Sequence, residues 1–177
     1  LDYTATTPVA YDVLESYTRA TKDFMGNPNS LHSLGVKSKA LMHSAIKQIS
    51  DIFNVLESEI TFTAGATMSN NLALIGTALA NMKYGNHILV SKLEHPSIYN
   101  ICKYLENIGF EIGYINNTSD GLVDFDDLKR QMREDTILVS VCAVNSEMGI
   151  RQPLKIIRQI IKKENPHTFL HSDMTQA

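Results

Sequence analysis

Short apolar runs alternate with longer segments of helical periodicity along most of this 177-residue sequence. The runs at 87–91 and 136–141 have the length and the β-branched composition of buried strands. Between them, apolar residues recur at helical spacing, as at Ile98, Ile101 and Leu105. The alternation predicts an α/β fold, in which a mainly parallel sheet is covered by helices on both faces.

The periodicity also predicts the order of the elements. Strands are expected at Glu59–Thr63, His87–Ser91, Phe110–Ile115, Thr136–Val141 and Thr168–Leu170, the last of them buried. Helices are expected from Pro8 with Thr7 as N-cap, over Leu34–Phe53, after Thr67, from Pro96, over Asp124–Met132 and from Pro153. In the second helix, the side chains expected to point inward are Leu41, Ala45, Ile49, Ile52 and Phe53.

Composition and charge narrow the functional classes. The net charge is −3 and Lys and Arg form no stripe, which disfavours direct nucleic-acid binding. No apolar run approaches the roughly 20 residues that cross a bilayer, and no signal peptide is visible. Cys102 and Cys142 form neither a disulfide framework nor a metal knot, so we expect a reducing, cytoplasmic compartment and buried, inert thiols. The histidines show no metal-ligand spacing, so no metal site is expected.

Candidate functional residues follow four predicted strands directly. They are the small-residue turn at 64–67, His95, Asn145, and Asp173 together with Gln176. In a parallel sheet these strand ends form one edge, and α/β proteins bind ligands at that edge. The shared position is stronger support for a site than any single residue.

The turn at 64–67 stands between a predicted strand and a helix. Small residues there allow close approach of an anion to the free N–H groups of the helix, and Thr67 adds a hydroxyl donor. The turn therefore fits a phosphate. The alternative is a tight turn with Gly65 at positive φ and no ligand, because such turns are common.

The other three positions each have a chemical and a structural interpretation. A carboxylate at Asp173 could keep a pyridine nitrogen protonated, as the cofactor pyridoxal phosphate (PLP) requires, or it could be a helix cap or a surface acid. His95 could stack on a planar ring or move protons, or it could simply begin a helix before Pro96. Asn145 could donate to a carboxylate or a phenolic oxygen, or it could be a turn residue.

Six segments occur together in one order. They are Leu1-Asp-Tyr-Thr-Ala-Thr-Thr-Pro8, Gly26-Asn-Pro-Asn-Ser-Leu-His32, Phe62-Thr-Ala-Gly-Ala-Thr67 with Ser69-Asn-Asn71, Glu94-His95, Val144-Asn-Ser-Glu-Met-Gly149 and Asp173-Met-Thr-Gln176. In these segments the chain resembles the N-terminal part of cysteine desulfurases, the NifS/IscS-like group of fold-type-I PLP enzymes. The resemblance implies that the sheet belongs to a PLP-binding large domain, spanning residues 13–177 and incomplete at its C-terminus. Residues 1–12, which fit the strand–helix alternation poorly, would pack with the small domain.

The resemblance also implies the roles of individual residues. Ala66 and Thr67 would hold the PLP phosphate, and His95 would stack on the ring as the catalytic residue. Asp173 would pair with the pyridine nitrogen.

Two amide side chains complete the implied site, since Gln176 would reach the ring hydroxyl and Asn145 would lie by that hydroxyl and the substrate carboxylate. The implied reaction takes sulfur from L-cysteine, giving L-alanine and a persulfide on an enzyme cysteine. The implied partners are a second copy in a homodimer and a sulfur acceptor, such as an iron–sulfur scaffold or a tRNA-thiolation enzyme.

The chain departs from the family pattern at Met68, where Glu is usual, and at Ala143, where His is frequent. The Ser-Gly-His-Lys segment with the Schiff-base lysine, the persulfide cysteine and the carboxylate-binding arginine are not in this sequence. We therefore expect the front part of an enzyme, inactive by itself. The alternatives are a selenocysteine lyase or another class-V-aminotransferase-like enzyme, or a catalytically silent binding partner with the same fold.

Overall fold

A computed structural model describes residue 3 and residues 5–177. The helices are α1 (Tyr11–Asp23), α2 (Ser33–Phe53), α3 (Ala66–Asn81), α4 (Pro96–Asn107), α5 (Phe125–Gln131) and α6 (Leu154–Glu164). The strands are β1 (His87–Ser91), β2 (Glu111–Ile115), β3 (Thr136–Ser140) and β4 (Phe169–His171), and a short 3-10 helix spans Glu57–Glu59. The described residues fall into two compact units, which divide between Phe62 and Thr63.

In the second unit, the described strands form one parallel sheet in the order β2-β1-β3-β4. Each crossover between consecutive strands carries a helix, as the predicted α/β fold requires. The chain leaves β1 toward β2 and later returns to the other side of β1 to form β3. The point between β1 and β3 is therefore the topological switch point of the sheet, beside which open α/β sheets bind their ligands.

Two apolar clusters cover the two faces of this sheet, which confirms the prediction of helices on both sides. On one face, α3 and α4 pack on alternate strand residues, among them Ile88, Val90 and Leu138. On the other face, α5 and α6 pack on Leu89 and Val139, which point the opposite way. The central strands are consequently buried along their whole length, and they provide a rigid base for the residues that follow them.

The first unit contains α1, α2, the loop between them and the short 3-10 helix. The loop folds tightly onto the start of α2, where Gly26 and Gly35 approach neighbouring backbone too closely to leave room for a side chain. His32 is the N-cap of α2 and accepts a hydrogen bond from the Gly35 N–H at 3.2 Å. Ser38 Oγ donates to the Phe24 carbonyl at 3.1 Å, which ties α2 to the end of α1.

Two predictions in this region were wrong. Glu59–Thr63 is not a strand, because Glu57–Glu59 forms a 3-10 turn and the residues after it pair with no strand of the described chain. The first helix begins at Tyr11 rather than Pro8, and its N-cap is Ala10, which has no side-chain acceptor. Thr7 therefore caps nothing in the described structure.

Burial also differs from two expectations. In α2 the residues predicted to point inward include Leu41, Ile52 and Phe53, yet all three are exposed in the described structure. The last strand is shifted by one residue to Phe169–His171, and Phe169 is exposed because β4 has a described strand on one side only. No helix among the described residues is long and apolar enough to cross a membrane. The division after residue 12 remains a prediction.

Candidate active site at the ends of the parallel strands

Several polar residues of the second unit lie together at the carboxyl ends of β1, β3 and β4. Glu94 and His95 follow β1, Asn145 follows β3, and Asp173 follows β4. The strand ladder continues beyond β3, since the Ala143 N–H donates to the Asp173 carbonyl at 2.8 Å. The sequence prediction that His95, Asn145 and Asp173 follow strands at one sheet edge is therefore correct in its topology. The turn at 64–67, predicted to follow a strand at the same edge, follows no strand of the described chain.

The first turn of α3 contains Ala66 and Thr67, and both residues are exposed. The N-cap, Gly65, has no side chain to satisfy the first N–H groups of the helix. A Cβ added at Gly65 would meet no atom within 4 Å, so the space beside this turn is open. Thr63 Oγ1 lies 2.6 Å from Ser69 Oγ and fixes the approach to the turn. An anion could reach the start of the helix from this side.

His95 is the N-cap of α4, where it precedes Pro96. The Ser97 N–H donates to Nδ1 of His95 at 3.1 Å, and Ser97 Oγ lies 2.9 Å from the same nitrogen. A backbone N–H can only donate, so Nδ1 is an acceptor and the proton of the neutral ring is on Nε2. The imidazole is exposed, which leaves its face and Nε2 accessible to a ligand.

Both carboxylate oxygens of Asp173 accept hydrogen bonds. Oδ1 accepts from the Thr175 N–H at 3.0 Å and from Thr175 Oγ1 at 2.6 Å, and Oδ2 accepts from Asn70 Nδ2 at 2.8 Å. Burial by itself would raise the pKa of Asp173, but these hydrogen bonds outweigh it and hold the pKa below its ordinary value. Asp173 is therefore an anion at neutral pH.

The two predicted amide residues differ in how they are held. Asn145 Nδ2 donates to the Leu93 carbonyl at 3.3 Å, and Oδ1 accepts from the N–H groups of Glu147 and Met148 at 3.0 and 2.8 Å. Asn145 thus shapes its own loop and links it to the end of β1. Gln176 is exposed in the turn after Asp173, where the Ala177 N–H donates to the Met174 carbonyl at 3.0 Å.

Three further polar residues belong to this edge and were missed from the sequence. Asn70 and Ser97 are only 4% and 7% exposed, and Asn70 Nδ2 donates to Ser97 Oγ at 3.2 Å as well as to Asp173. Together they join Asp173 to His95. A sequence signal existed, because Asn70 precedes Leu74 and Ala78 at four-residue spacing on the buried face of α3.

Glu94 is the third of these residues and is 8% exposed. Its Oε1 accepts from the Cys142 N–H at 2.6 Å, and its Oε2 has no hydrogen-bond partner among the described residues. Burial raises the pKa of Glu94 to about 7, and the negative charge of Asp173 adds to the effect. A carboxyl that carries a proton near neutral pH therefore lies beside the anionic Asp173.

The two cysteines are buried, as predicted. Burial raises the pKa of both thiols to about 12, so neither is a thiolate at neutral pH. Lys162 donates to the carbonyls of Pro166 and Thr168, each at 2.7 Å, at the far end of β4 from the site. Within the described residues, no group of three or more His, Cys, Asp or Glu could hold a metal ion.

The family model for class-V aminotransferases matches residues 1–177. This chain belongs to the class-V aminotransferase family. Within that family it is similar to the cysteine desulfurase IscS 1 of Archaeoglobus fulgidus, with 44% identity over 99% of this chain and 45% of the relative. It is also similar to the cysteine desulfurase IscS of Dictyoglomus turgidum, with 39% identity over 100% of this chain and 44% of the relative.

Two solved structures have the same architecture as this chain. A NifS-like protein superposes with a TM-score of 0.96 at 36% identity, covering 99% of this chain and 48% of that protein. SspA, solved in complex with cysteine, superposes with a TM-score of 0.88 at 34% identity, covering 97% and 49% of the two chains. The chain thus spans about half the length of the relatives it matches. These likenesses confirm the fold-type-I α/β assignment.

Proposed function

We propose that this chain is the PLP-binding front part of a cysteine desulfurase. The observation that carries the proposal is Asp173, which is half-buried, anionic and held at both oxygens by donors from two elements. An anion fixed in this way suits a protonated pyridine nitrogen, because opposite charges at close range stabilise the protonated ring. A carboxylate that merely faced solvent would need no such support from Asn70.

The start of α3 fits the phosphate of the same cofactor. Ala66 and Thr67 lie in an uncapped first turn beside open space, and the positive end of the helix dipole favours an anion there. Asn71 Nδ2 donates to the Thr67 carbonyl at 2.7 Å and thereby stabilises the turn. We assign the phosphate to Ala66 and Thr67.

We base the roles of the remaining candidates on the resemblance to cysteine desulfurases. His95 would stack on the cofactor ring, with its proton on the outward Nε2 and its Nδ1 held by Ser97. Gln176 would bind the ring hydroxyl, and Asn145 would bind that hydroxyl and the carboxylate of the substrate. The Asn145 Nδ2 group donates one hydrogen to the Leu93 carbonyl, and its second hydrogen would serve this role.

When bound, PLP supplies an electron sink for carbanion chemistry at the amino-acid substrate. The residues of this chain hold and orient it, and Asp173 maintains the positive charge on which that chemistry depends. His95 is placed to hold or move a proton at Nε2. The proposed reaction converts L-cysteine to L-alanine and passes the sulfur to a cysteine of the protein, giving a persulfide. We expect that cysteine to be neither Cys102 nor Cys142, because both are buried thiols.

We extend the proposal to the organisation and partners of the whole protein. Residues 13–177 would form the large domain, and residues 1–12 would pack with a small domain. A homodimer is supported by α1 and the residues before it, where Val9, Val13, Leu14 and Tyr17 are exposed although apolar. The sulfur acceptor would be an iron–sulfur scaffold or a tRNA-thiolation enzyme, and the compartment would be the cytoplasm, where the free cysteines stay reduced.

The test uses the full-length protein, loaded with PLP and supplied with L-cysteine or L-selenocysteine. Release of alanine from L-cysteine, together with a persulfide on the protein, is the expected result. Release from selenocysteine alone would replace the proposal by a selective lyase. Full PLP loading with no turnover of either amino acid would instead indicate a silent binding partner.

A further inference from the structure

Asn70 lies on the buried face of α3, one helical turn after Thr67, and reaches across to β4. Its Nδ2 group has two hydrogens, and two acceptors lie within hydrogen-bond distance. One is Asp173 Oδ2 at 2.8 Å, and the other is Ser97 Oγ at 3.2 Å. Both are acceptors for the same nitrogen, so the orientation of the amide is fixed with Nδ2 toward them.

Ser97 continues this chain of hydrogen bonds toward His95. Its Oγ accepts from Asn70, so its hydroxyl hydrogen is free to point to His95 Nδ1, 2.9 Å away. The Ser97 N–H donates to the same nitrogen. Donors and acceptors therefore match at every step from Asp173 through Asn70 and Ser97 to the imidazole.

We propose that Asn70 and Ser97 form a positioning bridge that fixes the side chains of Asp173 and His95 relative to each other. The proposal rests on the proposed function in naming the cofactor ring as the group these two residues address. The bridge joins elements far apart in sequence, since α3, α4 and the end of β4 each contribute to it. It needs no contact between the bridge residues and the ligand, so both are positioning residues rather than catalytic ones.

A purely structural role for Asn70 makes a different prediction. If Asn70 only filled space between α3 and the sheet, Asn70→Asp would raise the pKa of Asp173 through its charge but leave the His95 ring signals unchanged. Asn70→Asp is isosteric, but it removes the donor and adds a negative charge beside Asp173. It also offers Ser97 a stronger acceptor, which would draw the Ser97 hydroxyl away from His95.

The experiment measures both ends of the bridge by NMR in the full-length protein, without substrate. Ring ¹⁵N signals of His95 are assigned with His95→Gln, and the Asp173 carboxyl ¹³C signal is assigned with Asp173→Asn. In Asn70→Asp we expect the pKa of Asp173 to rise by about 1 or more. The His95 ring signals should also shift, because the Ser97 hydroxyl turns from Nδ1 toward the new carboxylate. In Ser97→Ala we expect the His95 signals alone to shift, because Asn70 can still donate to Asp173.

Asn81→Asp is the matched control, since Asn81 lies on the same helix and donates to the Thr77 carbonyl at 2.8 Å. It should leave both signals in place. The bridge is refuted if Asn70→Asp leaves the His95 ring signals unchanged, or if the control shifts the His95 and Asp173 signals equally. Should Asn70→Asp not fold, an unchanged His95 signal in Ser97→Ala overturns the proposal by itself. These signals are read without turnover, so a protein inactive toward cysteine would disprove the proposed function and leave the bridge intact.

Discussion

The side chain of Glu94 joins the ends of the two central strands, because its Oε1 accepts a 2.6 Å hydrogen bond from the Cys142 N–H. Glu94 follows β1 and Cys142 follows β3, so this hydrogen bond links the chain beyond the two central strands at the switch point of the sheet. The second oxygen of the carboxyl is buried without a partner among the described residues. A charge there is poorly compensated, which is why burial raises the pKa of Glu94 to about 7.

We expect Glu94→Gln to stabilise the full-length protein at alkaline pH. Glutamine keeps the acceptor for the Cys142 N–H but removes the ionisation. The pKa of Glu94 rises from 4.5 unfolded to about 7 folded, so stability is lost as pH rises through this range. Relative to wild type, Glu94→Gln should gain about 3 kcal/mol at pH 8 and little at pH 4. Urea unfolding across this pH range measures the difference, and a constant gain at all pH values would contradict the assignment.

His171 should make the folding stability depend on pH in the opposite sense to Glu94. Its Nδ1 lies 3.0 Å from Ser140 Oγ, and burial lowers its pKa from 6.5 to about 4. The unfolded chain takes up a proton that the folded chain excludes, so stability is lost as pH falls from 6.5 to 4, by about 3 kcal/mol in total. In wild type this dependence opposes that of Glu94. His171→Asn should therefore uncover a decline in stability with rising pH, and a flat profile in that variant would refute the prediction.

Removal of the Asp173 charge should weaken retention of PLP by the full-length protein. Asp173→Asn keeps the size of the side chain but loses a charged partner for the ring nitrogen, an interaction of about 1.5–3 kcal/mol or roughly 10- to 100-fold in affinity. Equilibrium dialysis with PLP measures the dissociation constant. Asp126→Asn is the control, since Asp126 is exposed on α5 and pairs only with Lys129 among the contacts described. Equal affinity in both variants would exclude Asp173 from the cofactor site.

The inner face of α6 should contribute far more to stability than its outer face. Ile157 is 0% exposed and packs under β3, whereas its neighbour Ile156 is 46% exposed. Ile157→Ala leaves a cavity and should cost about 2–5 kcal/mol, and Ile156→Ala should cost much less. Chemical denaturation of the two variants compares them directly. Similar losses in both would mean that Ile156 is covered in the whole protein.

The sequence predicted the second unit well because its periodicity and its packing agree. The strands at 87–91 and 136–140 are buried throughout and apolar at their three central residues, as is typical of parallel strands. Asp124 caps α5 as expected, by accepting from two N–H groups. The prediction failed for Glu59–Thr63, where alternation resembled a strand. Alternation cannot reveal whether a partner strand lies alongside, and pairing rather than pattern makes a strand.

The candidate site was predictable in outline, since strand ends are where α/β proteins place such residues. Its internal connections were not. Asn70 lies within the segment Ser69-Asn-Asn71 that carries the family resemblance, but its contacts with Ser97 and Asp173 could not be predicted. They depend on distances between elements that local sequence does not encode. The role of Glu94 was similarly overlooked because its hydrogen-bond donor, the Cys142 N–H, is 48 residues away in the sequence. In α2, the periodicity of the sequence predicted which apolar residues point inward. Periodicity identifies the apolar face of a helix, but it does not show whether another element packs on that face.

The order β2-β1-β3-β4 also governs how the chain can assemble during synthesis. As the N-terminal part emerges first, β1 can pair with β2, but its other edge has no partner until β3 has followed, an interval on the order of seconds. Throughout that interval, the backbone edge of Ile88, Leu89 and Val90 is available to other nascent chains. Substitutions that delay the arrival of β3 would thus lower the yield of native protein from the ribosome, even where the molecules that do fold are fully active.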